Sequence, residues 1–187
     1  LVLVRHGQST WNSDNRFTGW ADVELSDLGI VEATNAGKTL LEHGYKFDVA
    51  MTSVLKRSIK TLWLILESMD QMYVPIQTDW RINERHYGSL QGLNKQETVE
   101  KHGSEKVMNW RRGFSVRPPV MEAKDPYHPS HDDRYHNIEV LPNTESLSDT
   151  LVRVKNWWFE NLRPEIIANK NVIVVAHGNS LRSLVKF

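Results

Sequence analysis

The sequence predicts an α/β fold of three layers: a mostly parallel central sheet, helices on both of its faces, and one inserted cap segment. Three observations carry this. Short apolar runs alternate with longer stretches of helical periodicity, as strands joined by helical crossovers require. Two of those runs, at the start of the chain (LVLV, 1–4) and near its end (NVIVVA, 171–176), are apolar without alternation, which suits strands covered on both faces. Between about Asn83 and Pro142 this rhythm stops and Pro, His and charged residues take over.

LVLV is the first strand. Ser26 is the N-cap of a helix with apolar positions Leu28, Ala33, Ala36, Leu40 and Leu41, ended by Gly44. FDVAMTS (47–53) reads as the second strand. From Val54 to about Met69, Leu55, Ile59, Leu62, Trp63 and Leu66 share a face, with Lys56 and Lys60 outside. VPIQT (74–78) is a short third strand. Leu147, Leu151, Val154, Trp158 and Leu162 stripe another helix, with Pro164 placed near its end. NVIVVAHG (171–178) is the fourth strand, central by its apolar character. LRSLVKF (181–187) opens a helix without a stop signal, so a further C-terminal segment is expected. The stretch 83–142 carries a short helical piece at Trp110 and is expected to lie over the sheet as a functional cap. The 187 residues suit a single domain with a substantial core. The tryptophans fall mostly at helical apolar spacing and are expected in that core.

Lys plus Arg equals Asp plus Glu at 23 each, so no overall bias toward nucleic acid or anionic membrane exists. Local clusters of arginine stay open as anion sites. The absence of Cys removes disulfides, thiolate nucleophiles and Cys-bound metals. No apolar run approaches the roughly 18–20 residues of a membrane span, and no signal-peptide pattern is visible. HPSHDDRYH (128–136) gathers His and Asp but lacks the fixed helical pair or Cys of a metal site, and no metal is expected there. Neither a GxxxxGK loop nor GxGxxG occurs, so nucleotide binding has no support.

In an open α/β sheet, ligands bind beyond the carboxyl ends of the strands. Arg5, His6 and Gly7 follow the first strand, and His177 and Gly178 follow the last. If those strands are neighbours, the imidazoles face one pocket. Glycine after each His allows a sharp turn and close approach of a ligand. Ser9, Thr10 and Asn12 after one pair, and Asn179 and Ser180 after the other, offer uncharged donors, and helix N-termini there would favour an anion. Arg5, and Arg57 at the junction after the second strand, point to phosphate, which the guanidinium fork binds bidentately. Two arginines beside an imidazole favour its neutral form, whose lone pair can attack phosphorus to give a phosphohistidine. The second His would stabilise charge on the transferring oxygens. Glu84 is the best carboxyl for protonating the leaving oxygen. Arg111 and Arg112, taken alone, read as a solvated helix face.

Together LVLVRHGQSTWN, NRFTGW, TSVLKRSIKTLW, NERHYGSLQGLNK, WRRGF and AHGNSLR, in this order, closely resemble the cofactor-dependent phosphoglycerate mutases of the histidine phosphatase superfamily. The resemblance implies interconversion of 3-phosphoglycerate and 2-phosphoglycerate through a phosphohistidine at His6, primed by 2,3-bisphosphoglycerate and without metal. It puts Arg5, Asn12, Arg57 and His177 in the phosphate pocket and makes Glu84 the proton donor and acceptor. Thr18, Gly19, Arg85, Tyr87, Lys95, Arg111, Arg112, Gly178 and Asn179 match positions holding the carboxylate and second phosphate. Gly7, Gln8, Ser9, Thr10, Trp11 and His86 belong to the same motifs and complete the expected substrate-binding set. A substrate of that charge needs more than Arg5 and Arg57, so the Arg111–Arg112 pair now reads as binding. The family also implies a cytoplasmic homodimer or homotetramer whose partners are small phosphoglycerates, not nucleic acid or membrane.

The sequence departs from the family pattern at Gln8, where Glu is commoner, and in a shortened run from Tyr135 to Pro142. The tail that helps close the site in the family is a third departure. Three competing readings follow. A phosphatase of the same superfamily would keep Arg5, His6, Arg57, Glu84 and His177 but pass the phosphoryl group to water. The sister bisphosphoglycerate mutase typically has Gly where Ser9 stands. A non-catalytic binding protein would have lost one of the five residues.

Overall fold

The computed structural model describes residues 1–186; Phe187, part of the expected terminal helix, lies outside them. Four parallel strands form one sheet: β1 (Val2–Arg5), β2 (Val49–Thr52), β3 (Ile76–Thr78) and β4 (Val172–Ala176), in the order β1-β4-β2-β3. The expected α/β architecture is therefore present, with every strand pair parallel. The β1–β4 register runs from Val2 opposite Ile173 to Arg5 opposite Ala176, and Thr52 of β2 lies opposite Val175. Both strands that end in His-Gly thus finish side by side.

Alternation along the strands feeds two cores. On one face Ala50, Ile173 and Val175 pack against Leu62, Ile65 and Leu66 of a helix, with Val2 and Val4 partly buried beside them. On the other, Val49, Met51, Val172 and Val174 meet Trp157, Leu162, Leu181 and Leu184. The helices are α1 (Thr10–Ser13), α2 (Asp27–Glu42), α3 (Lys56–Ser68), α4 (Lys95–His102), α5 (Ser104–Arg112), α6 (Leu147–Trp157), α7 (Arg163–Ile167) and α8 (Gly178–Lys186). Ser26 caps α2 by accepting the Gly29 N–H, as expected.

Several expectations need correction. β1 is only half-buried, because it is the edge of the sheet rather than a strand covered all round. The buried face of α2 is made of Gly29, Ala33 and Gly37, while Leu28 and Leu41 point outward. Small residues there let two backbones approach: a Cβ on Gly37 would lie 2.7 Å from the Ile65 carbonyl oxygen of α3. Trp63 is 59% exposed, because the buried stripe of α3 runs through Ser58, Leu62, Ile65 and Leu66, one residue off its side. Pro164 does sit near the end of the helical stretch that starts with α6, but that stretch is not one regular helix. A π-helical turn (Trp158–Leu162) follows α6, and Pro164 sits in the first turn of α7, where its missing N–H costs nothing.

The stretch 83–142 contains more order than the single helical piece expected. Helices α4 and α5 pack through Val99, Val107 and Trp110 onto Phe17, Leu90 and Tyr87. This small cluster brings the ends of both helices over the carboxyl edge of the sheet.

Candidate active site

The β1–β4 ladder continues one residue past β1: the His6 N–H donates to the Ala176 carbonyl at 3.0 Å. His6 therefore stands beside His177, with ring centroids 4.9 Å apart and planes at 59°. The Nδ1 of His6 lies 2.6 Å from the Gly7 carbonyl oxygen. A carbonyl only accepts, so Nδ1 carries the proton and Nε2 keeps its lone pair. Burial, then Arg57 and Arg5, lower the His6 pKa to about 3. The ring is thus neutral at physiological pH, as the sequence reading requires.

His177 is buried and held from behind: its Nε2 lies 2.7 Å from Ser53 Oγ. Burial, followed by Arg57 and His6, keeps its pKa well below the ordinary value. Ser53 Oγ already accepts the Leu55 N–H at 3.2 Å. When its hydroxyl donates to Nε2, the imidazole proton resides on Nδ1, which has no hydrogen-bond partner in the protein. The neutral second His then offers a donor.

Arg57, in the first turn of α3 and 1% exposed, donates from Nη1 to the Ala21 carbonyl (3.0 Å) and from Nη2 to that of Gly19 (2.8 Å). Burial lowers its pKa to about 10, which leaves it protonated at neutral pH. Glu84 sits in the irregular segment after a short 3₁₀ turn (Trp80–Ile82). Two backbone N–H groups converge on its Oε1, from Arg85 at 2.8 Å and from Asn179 at 3.2 Å. Its Oε2 lies 3.9 Å from where a Cβ on Gly178 would stand. A Cβ at 178 would thus make ordinary van der Waals contact with both Glu84 and Arg5.

His6, Arg57 and Glu84 wall a cleft of ≈ 340 Å³; His177, expected in the phosphate pocket, is fully buried beside His6 and does not itself line it. Arg5, His6, Asn12, Thr18, Gly19, Arg57, Glu84, Tyr87, Lys95, Arg111, Arg112, Gly178 and Asn179, all expected from the sequence, line it. So do Arg16, Phe17 and Arg182, which sequence reasoning missed. Arg16 stood inside the quoted NRFTGW. Arg182 lies four residues after Gly178 on α8, hence on the same helix face, and that spacing could have found it. The wall holds seven cations (Arg5, Arg16, Arg57, Lys95, Arg111, Arg112 and Arg182) against one carboxylate, Glu84. Among the described residues, ion pairs to acidic side chains engage Lys56, Lys60, Arg81, Arg117, Lys124, Arg134, Arg153 and Lys170 but none of the seven. Burial, then Arg111 and Arg5, lower the Lys95 pKa.

Seven expected binding residues do not line the cleft, each for a visible reason. A Cβ on Gly7 would lie 2.3 Å from the Gly29 carbonyl oxygen, so this glycine serves the contact with α2. Gln8 accepts from the Ser26 hydroxyl through Oε1. Ser9 caps α1 in a reciprocal box with Asn12, and Thr10 is that helix's first residue. Trp11 packs edge-on against Tyr127. Arg85 is buried and donates from Nη2 to the Trp110 and Arg111 carbonyls, which fixes the end of α5. His86 is buried with its Nδ1 accepting the Gly88 N–H, and burial lowers its pKa to about 3. In the 128–136 run, Asp132 is engaged by Arg134, and His131 Nε2 bonds the Ala123 carbonyl. Among the described residues no three His, Asp or Glu side chains are grouped to hold a metal, and no helix is long and apolar enough to cross a membrane.

A family model described as "Histidine phosphatase superfamily (branch 1)" matches residues 1–126. The chain belongs to this superfamily. This histidine phosphatase superfamily member also superposes on solved structures over nearly its whole length. A mycobacterial hydrolase matches at 25% identity and TM-score 0.75, over 99% of this chain and 76% of that one. A mycobacterial glucosyl-3-phosphoglycerate phosphatase matches at 24% and 0.71, over 99% and 76%. A phosphoglycerate mutase from Bacillus anthracis matches at 21% and 0.70, over 99% and 77%. The superfamily is one of phosphoryl-transfer enzymes, phosphatases and mutases among them. The cleft of this member has the neutral imidazole, cations and carboxyl that such chemistry uses.

Proposed function

We propose that the chain is a phosphoryl-transfer enzyme of phosphoglycerates that works through a phosphohistidine on His6, and specifically a mutase interconverting 3-phosphoglycerate and 2-phosphoglycerate. The observation that carries this is a cleft whose seven cations, among the described residues, form no ion pair with an acidic side chain while one carboxylate, Glu84, stands among them. A single phosphate needs two or three of them. The remainder suits a ligand that also bears a carboxylate or a second phosphate. By the same argument 2,3-bisphosphoglycerate fits: Arg5 and Arg57 would hold one phosphate, and Lys95, Arg111, Arg112 and Arg182 the other anionic groups. When bound it supplies the priming phosphoryl group.

The chain's own residues divide the work. The Nε2 lone pair of His6 attacks phosphorus; an N–P bond forms while the ester P–O bond breaks. Glu84 gives its proton to the departing oxygen, and later takes one from the hydroxyl that receives the phosphoryl group. Arg5, Arg57 and the Nδ1–H of His177 stabilise charge on the equatorial oxygens. These groups suffice without a metal. The reading carries with it the expected cytoplasmic homodimer or homotetramer, which sedimentation of the purified protein would check.

A second reading has its own support. Two of the compared structures are a hydrolase and a phosphatase, the latter of glucosyl-3-phosphoglycerate. A phosphatase shares every step up to the phosphohistidine and then passes the group to water. The deciding assay follows 3-phosphoglycerate in excess chelator, with and without trace 2,3-bisphosphoglycerate. Isomerisation that needs the bisphosphate and ignores the chelator supports the mutase. Release of inorganic phosphate without isomerisation supports the phosphatase.

A further inference from the structure

The segment that presents Glu84 has no strand or long helix of its own, so something else must fix it. Arg153 of α6 does so with all five of its N–H donors. Nη1 donates to the carbonyls of Arg81 (2.6 Å) and Asn83 (3.0 Å), and Nη2 to that of Glu84 (2.9 Å). The remaining N–H groups hold Glu145 in a bidentate pair, Nε to Oε1 at 2.7 Å and Nη2 to Oε2 at 2.9 Å. Glu145 in turn accepts the His86 N–H through Oε2 at 2.8 Å, and its own N–H donates to the His86 carbonyl at 2.8 Å. The Glu84 carbonyl takes a second bond from Trp20 Nε1 at 2.7 Å, and the Arg153 guanidinium lies 5.7 Å from the Trp20 ring centroid. One buried ion pair therefore clamps residues 81 to 86 from both sides of Glu84. Neither partner lines the cleft.

We infer that Arg153, locked by Glu145, is a positioning residue for the proton-donating carboxyl of Glu84. A guanidinium suits this task because its rigid fork reaches three carbonyls and a carboxylate at once; an ammonium cannot. The clamp fixes the backbone, while the N–H groups of Arg85 and Asn179 fix the carboxylate oxygen. Together they set where the proton is delivered. A buried ion pair is weak evidence of a stabilising role, so its geometry around Glu84 carries the argument.

The inference rests on Glu84 being the acid, and the test separates the two. kcat/KM for phosphoryl transfer to His6 is measured for 2,4-dinitrophenyl phosphate, whose leaving group needs no proton, and for 2,3-bisphosphoglycerate, whose alkoxide does. Glu84→Gln should lower the second by about 100-fold or more and the first by no more than about threefold. Arg153→Lys should repeat this pattern at about tenfold, with the first substrate again within about threefold. Should Arg153→Lys not fold, Trp20→Phe removes one N–H from the same carbonyl and should show a smaller loss in the same direction. If Glu84→Gln discriminates between the substrates but the Arg153 and Trp20 variants lower both equally, or neither, the positioning role is overturned. If Glu84→Gln itself does not discriminate, the acid reading fails and this inference falls with it.

Discussion

His6 and His177 come from opposite ends of the chain, yet their rings lie 4.9 Å apart because Arg5 and Ala176 are register partners in adjacent parallel strands. The pairing of two strands, not a local motif, creates the site. Everything asked of His6 follows from it: burial beside a second neutral imidazole, and one ring nitrogen committed to Gly7 so that the other is free.

The first expectation concerns that free nitrogen. His6→Ala should abolish both mutase and phosphatase turnover, since no other group is placed to take the phosphoryl. Mass spectrometry of the unaltered enzyme after brief exposure to substrate should find an acid-labile phosphate on His6. Turnover above a trace in the variant would end the covalent mechanism.

Ser53 orients His177 through a single 2.7 Å bond. Ser53→Ala removes that bond without a charge change, and the neutral imidazole can then place its proton on either nitrogen. The expected loss in kcat is about tenfold, in line with about 1–1.5 kcal/mol for one hydrogen bond, with KM little changed. A steady-state assay at saturating substrate decides it.

The surplus cations should matter unequally between half-reactions. Replacing Arg111 and Arg112 by Ala should harm phosphoryl transfer to monophosphate far more than formation of the phosphoenzyme from the bisphosphate. Arg182→Ala should raise KM for phosphoglycerate and leave kcat/KM for 2,4-dinitrophenyl phosphate nearly intact. Rapid-quench measurement of labelled phosphoenzyme separates the steps; equal losses in both would make these arginines structural.

Three buried histidines predict a pH dependence of stability. His6 and His86 have pKa values lowered to about 3, and His177 is lowered well below its ordinary value. In the unfolded chain they titrate near 6.5, so between that pH and the folded values the unfolded state binds more protons. Stability is complete above about pH 6.5 and declines as pH falls toward 3, by up to about 1.4 kcal/mol per unit for each histidine. Urea midpoints at pH 7, 6 and 5, without phosphate, should fall, and less steeply in a His86→Gln variant.

Gly29 tests the contact behind the nucleophile. Ala normally stabilises a helix relative to Gly, but here the new Cβ would lie 2.0 Å from the Gln8 carbonyl oxygen. Gly29→Ala should destabilise by about 1–3 kcal/mol through overpacking and lower activity by displacing the loop after His6. Thermal melts and kcat together check both effects.

The sequence made the strands, the two His-Gly ends and most of the cleft wall legible, because apolar runs and chemically specific side chains are local signals. It misled where a backbone had to be near another backbone. Gly7, Gln8 and Ser9 sit in the motif that names the family, yet they serve a helix contact and a cap. Arg85 and His86 follow Glu84 directly but are fully buried. Trp63 and Leu28 fit an apolar stripe by spacing and still face outward, since the true contact face of each helix is set by a neighbour. Arg153 and Glu145 carry no motif at all, and only a structure shows which carbonyls they hold.

The order of the sheet also bears on when this enzyme becomes one. The only ladder partner of β1 among the described residues is β4. A nascent chain therefore carries its nucleophile well before β4 is made, on an apolar strand whose ladder partner among the described residues is not yet present. Neither closes into a site until residue 177 has left the ribosome. Fragments cut short in synthesis or nicked before β4 has docked carry an intact His6 and no pocket around it. The pairing of β4 with β1 is thus the step that sets His177 beside His6 and completes the pair of imidazoles.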